Sequence, residues 1–339
     1  MLKILGRRDI VKSRDNQIDN IKGLLILLVV FGHMLLASSN RDNGIVTLIY
    51  SFHMPAFIFL NGVFSKHASL RKALRFGAMY LIVQAIYILV VNVTSYPWIV
   101  KTHIVVTPIF HVWYLLSLTF WYFLAVLIKR FSLNRKIVIV VSILAALLIR
   151  YTNFDVDGNF WSYMRAIVFA PYFVLGFYVT TDDLSKLRVK TKKYKGLALF
   201  SSFFLMLFNY LYFAPRSAVW MKIFFGYVNC TQLNQNYFIF FLKEIAQSFV
   251  SGIFIILLLI LIPNGKGILN YLGRHTLFIF ICHPLIYFIV YNHIDRNNIG
   301  DFIAIILAIV FSLISIALSL LLESFWLRLK SFFTLEFTL

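Results

Sequence analysis

The chain is a succession of long apolar runs separated by short polar or basic stretches. Ten runs can be marked, at 20–37, 44–64, 75–93, 111–128, 136–152, 161–180, 196–213, 238–262, 270–291 and 301–323. About 20 apolar residues cross a bilayer as a helix, because each residue rises only ~1.5 Å. The apolar positions are contiguous, whereas the strands of a membrane β-barrel alternate over short segments. The pattern therefore predicts an all-α fold, a polytopic transmembrane helical bundle of about ten spans, with 1–339 forming a single integral membrane domain. Two runs are impure: the second carries His53, Pro55 and Asn61, and the ninth carries His275 and His283. The segment 214–237 is polar and aromatic, and long enough to fold over an opening at one face.

Composition agrees with this pattern. Hydrophobic residues make up 61% of the chain and charged residues 13%, too few charges to cover a soluble surface. Disorder, a secreted disulfide scaffold and a soluble two-domain enzyme are excluded. The formal net charge is +19, from 32 Lys+Arg against 13 Asp+Glu. In a soluble protein that excess points to nucleic acid; in a membrane protein it marks the loops kept in the cytoplasm, and no nucleic-acid partner is expected. With the amino terminus inside, the outer side holds only Arg41, Lys101, Arg150, Arg165, Arg216, Lys222, Lys243 and Arg296; the other 24 basic residues fall inside. The split predicts an N-in, C-in orientation, with a cytoplasmic basic segment at 1–19 that leads into an uncleaved first helix. The two cysteines, Cys230 and Cys282, suggest no disulfide framework.

Polar groups inside the apolar runs carry the candidate chemistry, since a charge at mid-bilayer costs roughly 2.5–3.5 kcal/mol and normally faces a partner or a cavity. On the first run, Asp19, Lys22 and His33 share one stripe: eleven steps of 100° bring Lys22 and His33 to within about 20° of alignment, with His33 roughly 16 Å further along. His33 is either satisfied by a neighbouring carbonyl or functional. His53 lies near mid-membrane beside Pro55, which lacks an N–H and so frees the Ser51 carbonyl; it is either a packing histidine on this loosened backbone or a site residue. Arg71 and Arg75 share a helical face. They are ordinary loop charges or a phosphate clamp, since guanidinium forks bind phosphate at two points. His111 and Trp113 open the fourth run at an interface where an aromatic belt is expected. His283 sits beside Pro284, Arg165 is a buried-charge candidate, and Lys243 with Glu244 forms a candidate interfacial pair. No metal-ligand spacing or glycine-rich phosphate loop is present.

Several short motifs occur in a telling order: Asp19-Asn20-Ile21-Lys22-Gly23, Val30-Phe31-Gly32-His33, Phe52-His53-Met54-Pro55, Asn61-Gly62-Val63-Phe64, Val112-Trp113-Tyr114-Leu115-Leu116, Pro171-Tyr172-Phe173-Val174-Leu175-Gly176-Phe177, and Leu272-Gly273-Arg274-His275-Thr276-Leu277 with His283-Pro284. Over about 20–290 the chain resembles the acyltransferase-three family of integral membrane acyltransferases, within it the fucose 4-O-acetylase-like branch. The resemblance implies transfer of an acetyl or other short acyl group from cytoplasmic acyl-CoA to a hydroxyl of a sugar or cell-envelope glycan. It places the family's catalytic histidine on His33, its first-span acidic residue on Asp19 and its basic motif on Arg71 and Arg75. The usual cluster of arginines ending in proline is not reproduced here, and Asn61-Gly62 replaces the usual Ser-Gly.

Residues and resemblance together suggest a mechanism. A neutral His33 accepts a proton from a sugar hydroxyl or takes the acetyl group itself, and His53 orients it or stabilises the oxyanion. Acetyl-CoA is the donor substrate, with no tightly bound cofactor and no metal. Arg71, Arg75, Lys22 and Arg274 are its candidate contacts, with His283 and Trp113 as further substrate contacts. The acceptor, a glycan or lipid-linked sugar, approaches beneath 214–237. The expected location is a bacterial plasma membrane, in contact with membrane lipid. The alternative from another class is a transporter or flippase of a lipid-linked saccharide, which uses buried polar residues as a pathway and often shows inverted repeats.

Overall fold

The computed structural model describes residues 15–39, 43–94, 96, 105–152, 158–295 and 298–336. Most of the basic segment 1–19, together with Arg41, Lys101 and Arg296, lies outside the described residues. Those described form helices and no strands. In chain order the α-helices are α1 Asn16–Ser38, α2 Gly44–Tyr50, α3 His53–Phe64, α4 Leu70–Val93, α5 Trp113–Arg130, α6 Arg135–Leu148, α7 Tyr163–Val168, α8 Ala170–Tyr178, α9 Thr181–Thr191, α10 Lys195–Phe208, α11 Ser217–Phe225, α12 Tyr237–Leu261, α13 Ile268–Arg274, α14 Thr276–His293 and α15 Asp301–Glu336.

Eight stretches are long and apolar enough to cross a membrane, nine if the bent pair built from α7 and α8 counts as one span. All ten apolar runs are helical, but they are not equal. The run at 136–152 is a 14-residue helix extended by three residues of 3-10 helix, short for a bilayer. The run at 161–180 bends by 54° between α7 and α8, where Pro171 stands at the start of the second piece. The run at 44–64 breaks at Ser51–Phe52, just before Pro55. The predicted ninth run is interrupted at His275, which separates α13 from α14. The basic stretch 181–195 between two of the apolar runs is largely the polar helix α9. Its capping box at Thr180 and Asp183 satisfies the first free N–H groups.

The bundle is organised around α1, which is buried along most of its length. Two crossings bring backbones into contact through glycine. A Cβ on Gly23 would overlap the Leu269 carbonyl, and one on Gly273 would overlap the Asp19 carbonyl, so α1 and α13 touch backbone to backbone. Gly62 and Gly176 do the same for α3 and α8. Small residues drive such crossings in lipid, where apolar side chains gain little by leaving the hydrocarbon. The carbonyl of Ser51, left free by Pro55, accepts a 2.5 Å hydrogen bond from Ser251 Oγ on α12. That bond, the 3.0 Å bond from Asn209 Nδ2 to Ser51 Oγ and the stacking of Phe52 on Phe254 tie the break between α2 and α3 to distant parts of the chain.

Candidate active site

Two histidines from helices far apart in sequence meet inside the bundle. His283 Nδ1 lies 2.8 Å from the Ile279 carbonyl, and His283 Nε2 lies 2.9 Å from His33 Nδ1. A carbonyl only accepts, so His283 Nδ1 carries the hydrogen and donates it. In a neutral ring the lone pair is then on Nε2, and His33 Nδ1 must be the donor between the two rings. The same logic leaves His33 Nε2 with its lone pair, and that nitrogen has no hydrogen-bond partner among the described residues. The chain Ile279 carbonyl, His283, His33 thus fixes one tautomer and exposes one basic nitrogen.

A third histidine completes the group. His111 lies with its ring centre 4.9 Å from that of His283 and 6.0 Å from that of His33. Its Nε2 donates to the Phe280 carbonyl at 2.8 Å. Phe280 is four residues before Pro284, so its carbonyl has no helical N–H to accept; the proline creates the socket that His111 fills. The segment that delivers His111 is tied to α4: Gln84 Nε2 donates to the Thr107 carbonyl and its Oε1 accepts from the Ile109 N–H, at 2.9 and 3.0 Å. Phe110, next to His111, is held at φ +51°, in the left-handed region that a bulky residue rarely enters. There its ring packs 4.7 Å from His33 and stacks on Tyr287 at 4.3 Å.

His33 and His111 line a cavity of about 560 Å³ at the end of the bundle remote from Asp19, a size typical of small-molecule sites. Its walls are largely aromatic, with Tyr50, Tyr96, Phe110, Trp113, Tyr287 and Tyr291. Ala218, Met221, Lys222 and Phe225 of α11, with Tyr227 beyond it, form the roof. Arg165 is packed between Trp113 and Tyr227, 4.9 and 4.4 Å from their ring centres, and its Nε donates to the Phe225 carbonyl at 3.0 Å.

The opposite end of α1 is charged. Asp19 is buried between Lys22 at 4.0 Å and Arg274 at 3.7 Å, and Lys22 Nζ lies 4.3 Å over the Phe64 ring. Gln17 and Asn20 bind the carbonyls of Leu259, Ile262, Pro263 and Gly265, which locks the α12–α13 connection onto α1. Arg71 and Arg75 are exposed on the first turns of α4.

A family model described as an acyltransferase domain, of the acyltransferase-three type, matches residues 15–323. The chain belongs to this family. Nodulation protein NolL of Sinorhizobium fredii (strain NBRC 101917 / NGR234) is 39% identical over 67 residues, 18% of this chain and 18% of that protein. The match therefore spans less than a fifth of that relative's length. No solved structure matches.

The acyltransferase-three chain thus has two separated centres. His33 and Trp113 line the cavity, while His283, expected as a substrate contact, is fully buried behind His33; Asp19, Lys22 and Arg274 gather about 21 Å away along α1, and Arg71 and Arg75 touch neither group in any described contact. His53 is buried one layer back. Its Nδ1 donates to the Ile49 carbonyl at 2.8 Å, and Tyr50 packs edge-on against it at 4.6 Å, between it and His33. The partner of His33 is His283. Glu244, expected beside Lys243, instead lies 3.6 Å from Arg150, while Lys243 bonds Gln235. Sequence reasoning left His111 in the aromatic belt, and passed over Tyr50, Tyr287 and Tyr291. Two signals were available. His283, Tyr287 and Tyr291 recur every four residues on one helical face, and Pro284 announces a free carbonyl at Phe280.

Proposed function

We propose that this chain moves an acetyl or other short acyl group from acyl-CoA to a hydroxyl of a sugar unit in a cell-envelope or exported glycan, as fucose 4-O-acetylase-like members do. The observation that carries the reading is the His33 nitrogen held unprotonated by His283 beside a cavity of sugar-binding character. Aromatic faces suit the apolar face of a sugar ring, and Arg165 with Lys222 can bind its oxygens.

The reaction needs three parts. His33 Nε2 takes the proton of the acceptor hydroxyl as its oxygen attacks the thioester carbonyl. The carbon–sulfur bond breaks, and the thiolate leaves with the proton returned by His33. The charge that develops on His33 is shared through Nδ1–H with the His283 lone pair, so His283 is a positioning residue. The donor is anionic and bulky, and the basic end of the bundle suits its phosphates: Lys22, Arg274, Arg71 and Arg75 all stand there. Positive loops stay in the cytoplasm, which puts that end on the acyl-CoA side of a bacterial plasma membrane and the cavity on the acceptor side. The thin thiol arm spans the roughly 16 Å between Lys22 and His33. Acyl-CoA is a substrate here, and no resident cofactor is called for.

Radiolabelled acetyl-CoA offered to membranes containing the protein, with the host's glycans present, tests the reading. Alkali-labile label in glycan is expected, and none with His33→Ala. Label absent from glycan in both would overturn it and favour a transport role.

A further inference from the structure

An ion pair that acyl transfer does not use lies beside the roof of the cavity. Arg150, just past α6, is fully buried, and its Nε stands 3.6 Å from Glu244 Oε1 on α12. A buried pair of this kind contributes little stability by itself, because desolvation of both charges offsets their attraction. The remaining bonds of Arg150 are more specific. Its Nε donates to the Val228 carbonyl at 2.9 Å and its Nη1 to the Ile223 carbonyl at 3.3 Å. Its own carbonyl accepts from the Cys230 N–H at 2.9 Å.

Ile223 is in the last turn of α11, where carbonyls carry the negative end of the helix dipole and attract cations. The chain leaves that helix through Gly226, at φ +74°. Arg150 therefore grips the roof on both sides of its turn, at Ile223 and at Val228. Arg165 takes Phe225 between them.

We propose that Arg150 is a positioning residue of the acceptor cavity: its bonds to the Ile223 and Val228 carbonyls set the height and angle of α11 over His33. Glu244 lies behind it as a counter-ion, and the two carbonyl bonds set its direction. The proposal rests on reading the cavity as the acceptor site, but its physical content, a roof whose position depends on Arg150, is measurable without acyl transfer.

The probe is a thiol at Met221, which is 3% exposed on the inner face of the roof. In a background of Cys230→Ala, Cys282→Ala and Met221→Cys, a water-soluble maleimide on protein in lipid nanodiscs should react slowly. Arg150→Met removes the carbonyl bonds and should speed labelling about tenfold or more. Glu244→Met strands a charge and should lower thermal stability, yet labelling should stay slow because the carbonyl bonds remain. Arg150→Met/Glu244→Met removes the pair together; stability should recover and labelling should stay fast.

Labelling that follows stability instead, fast in both single variants and slow in the double, overturns the proposal and leaves the pair as a stabilising element. Slow labelling in all three overturns it as well. The glycan-labelling assay on the same proteins should show a raised KM for acceptor only where Arg150 is replaced. If the parent labels no glycan, the acyl-transfer reading fails while the thiol rates still decide the roof.

Discussion

Replacing His283 with alanine is the sharpest test of the histidine pair. The variant removes the lone pair that accepts the His33 Nδ1 hydrogen across 2.9 Å. A hydrogen bond of this kind is worth about 1–3 kcal/mol, and because it strengthens as His33 becomes cationic, losing that much from the transition state alone is a factor of roughly 5 to 150 in rate. A second loss adds to this. With nothing to hold its hydrogen on Nδ1, His33 can place it on Nε2, and that tautomer cannot accept a proton from the acceptor. Loss of an orienting group behind a catalytic histidine has cost up to ~10⁴ in rate in other enzymes. Glycan labelling from radiolabelled acetyl-CoA should therefore fall by at least tenfold and by as much as ~10⁴. His283→Gln brings an acceptor oxygen towards the same nitrogen and should retain more activity than alanine. Added imidazole should restore part of the rate to His283→Ala, which a merely misfolded variant would not allow. Ser315→Ala removes only a 3.2 Å bond to the His283 carbonyl and serves as a control with near-normal rate. A His283→Ala protein within threefold of the parent, while His33→Ala is inactive, would refute the tautomer argument.

His33→Ala should lose acyl transfer by about 10²–10⁴ or more while still inserting in the membrane, as immunoblots of membrane fractions would show; His53→Ala, one layer behind, should lose less. Arg71→Ala with Arg75→Ala should raise the KM for acyl-CoA about ten- to a hundredfold, and a donor titration that does not move assigns these arginines to topology alone. Single cysteines placed in 214–236 should react with an impermeant reagent from outside the cell, and those in 186–195 should not; the reverse pattern inverts the substrate sides. Gly273→Leu should prevent normal accumulation in the membrane, because its side chain meets the Asp19 carbonyl; a normal level would show that the α1–α13 crossing can spread apart.

Ten apolar runs, the membrane class and the family were legible without a fold, because the bilayer imposes a length and a polarity on each helix that acts residue by residue. His33 stood out for the same reason: a polar group at lipid depth is costly, and its register with Asp19 and Lys22 follows from helical geometry alone. The breaks inside the spans were only half legible. Pro55 and Pro284 show where a carbonyl is set free, but Ser251 and His111, which capture those carbonyls, lie some 200 and 170 positions away in the chain.

The partnership at the site was decided by tertiary structure. His53 is near His33 in sequence and equally deep, yet Tyr50 packs beside it and its hydrogen bond closes on its own helix. His283 is 250 positions from His33, and only the packing of α14 against α1 brings them together. Arg150 and Glu244 likewise read as separate charges near the ends of their helices until the fold sets them 3.6 Å apart. Local pattern specifies what each helix can bury, since hydrophobicity and periodicity are properties of a segment. Which buried polar groups meet depends on how helices cross, and that is set by glycine contacts and freed carbonyls spread along the whole chain.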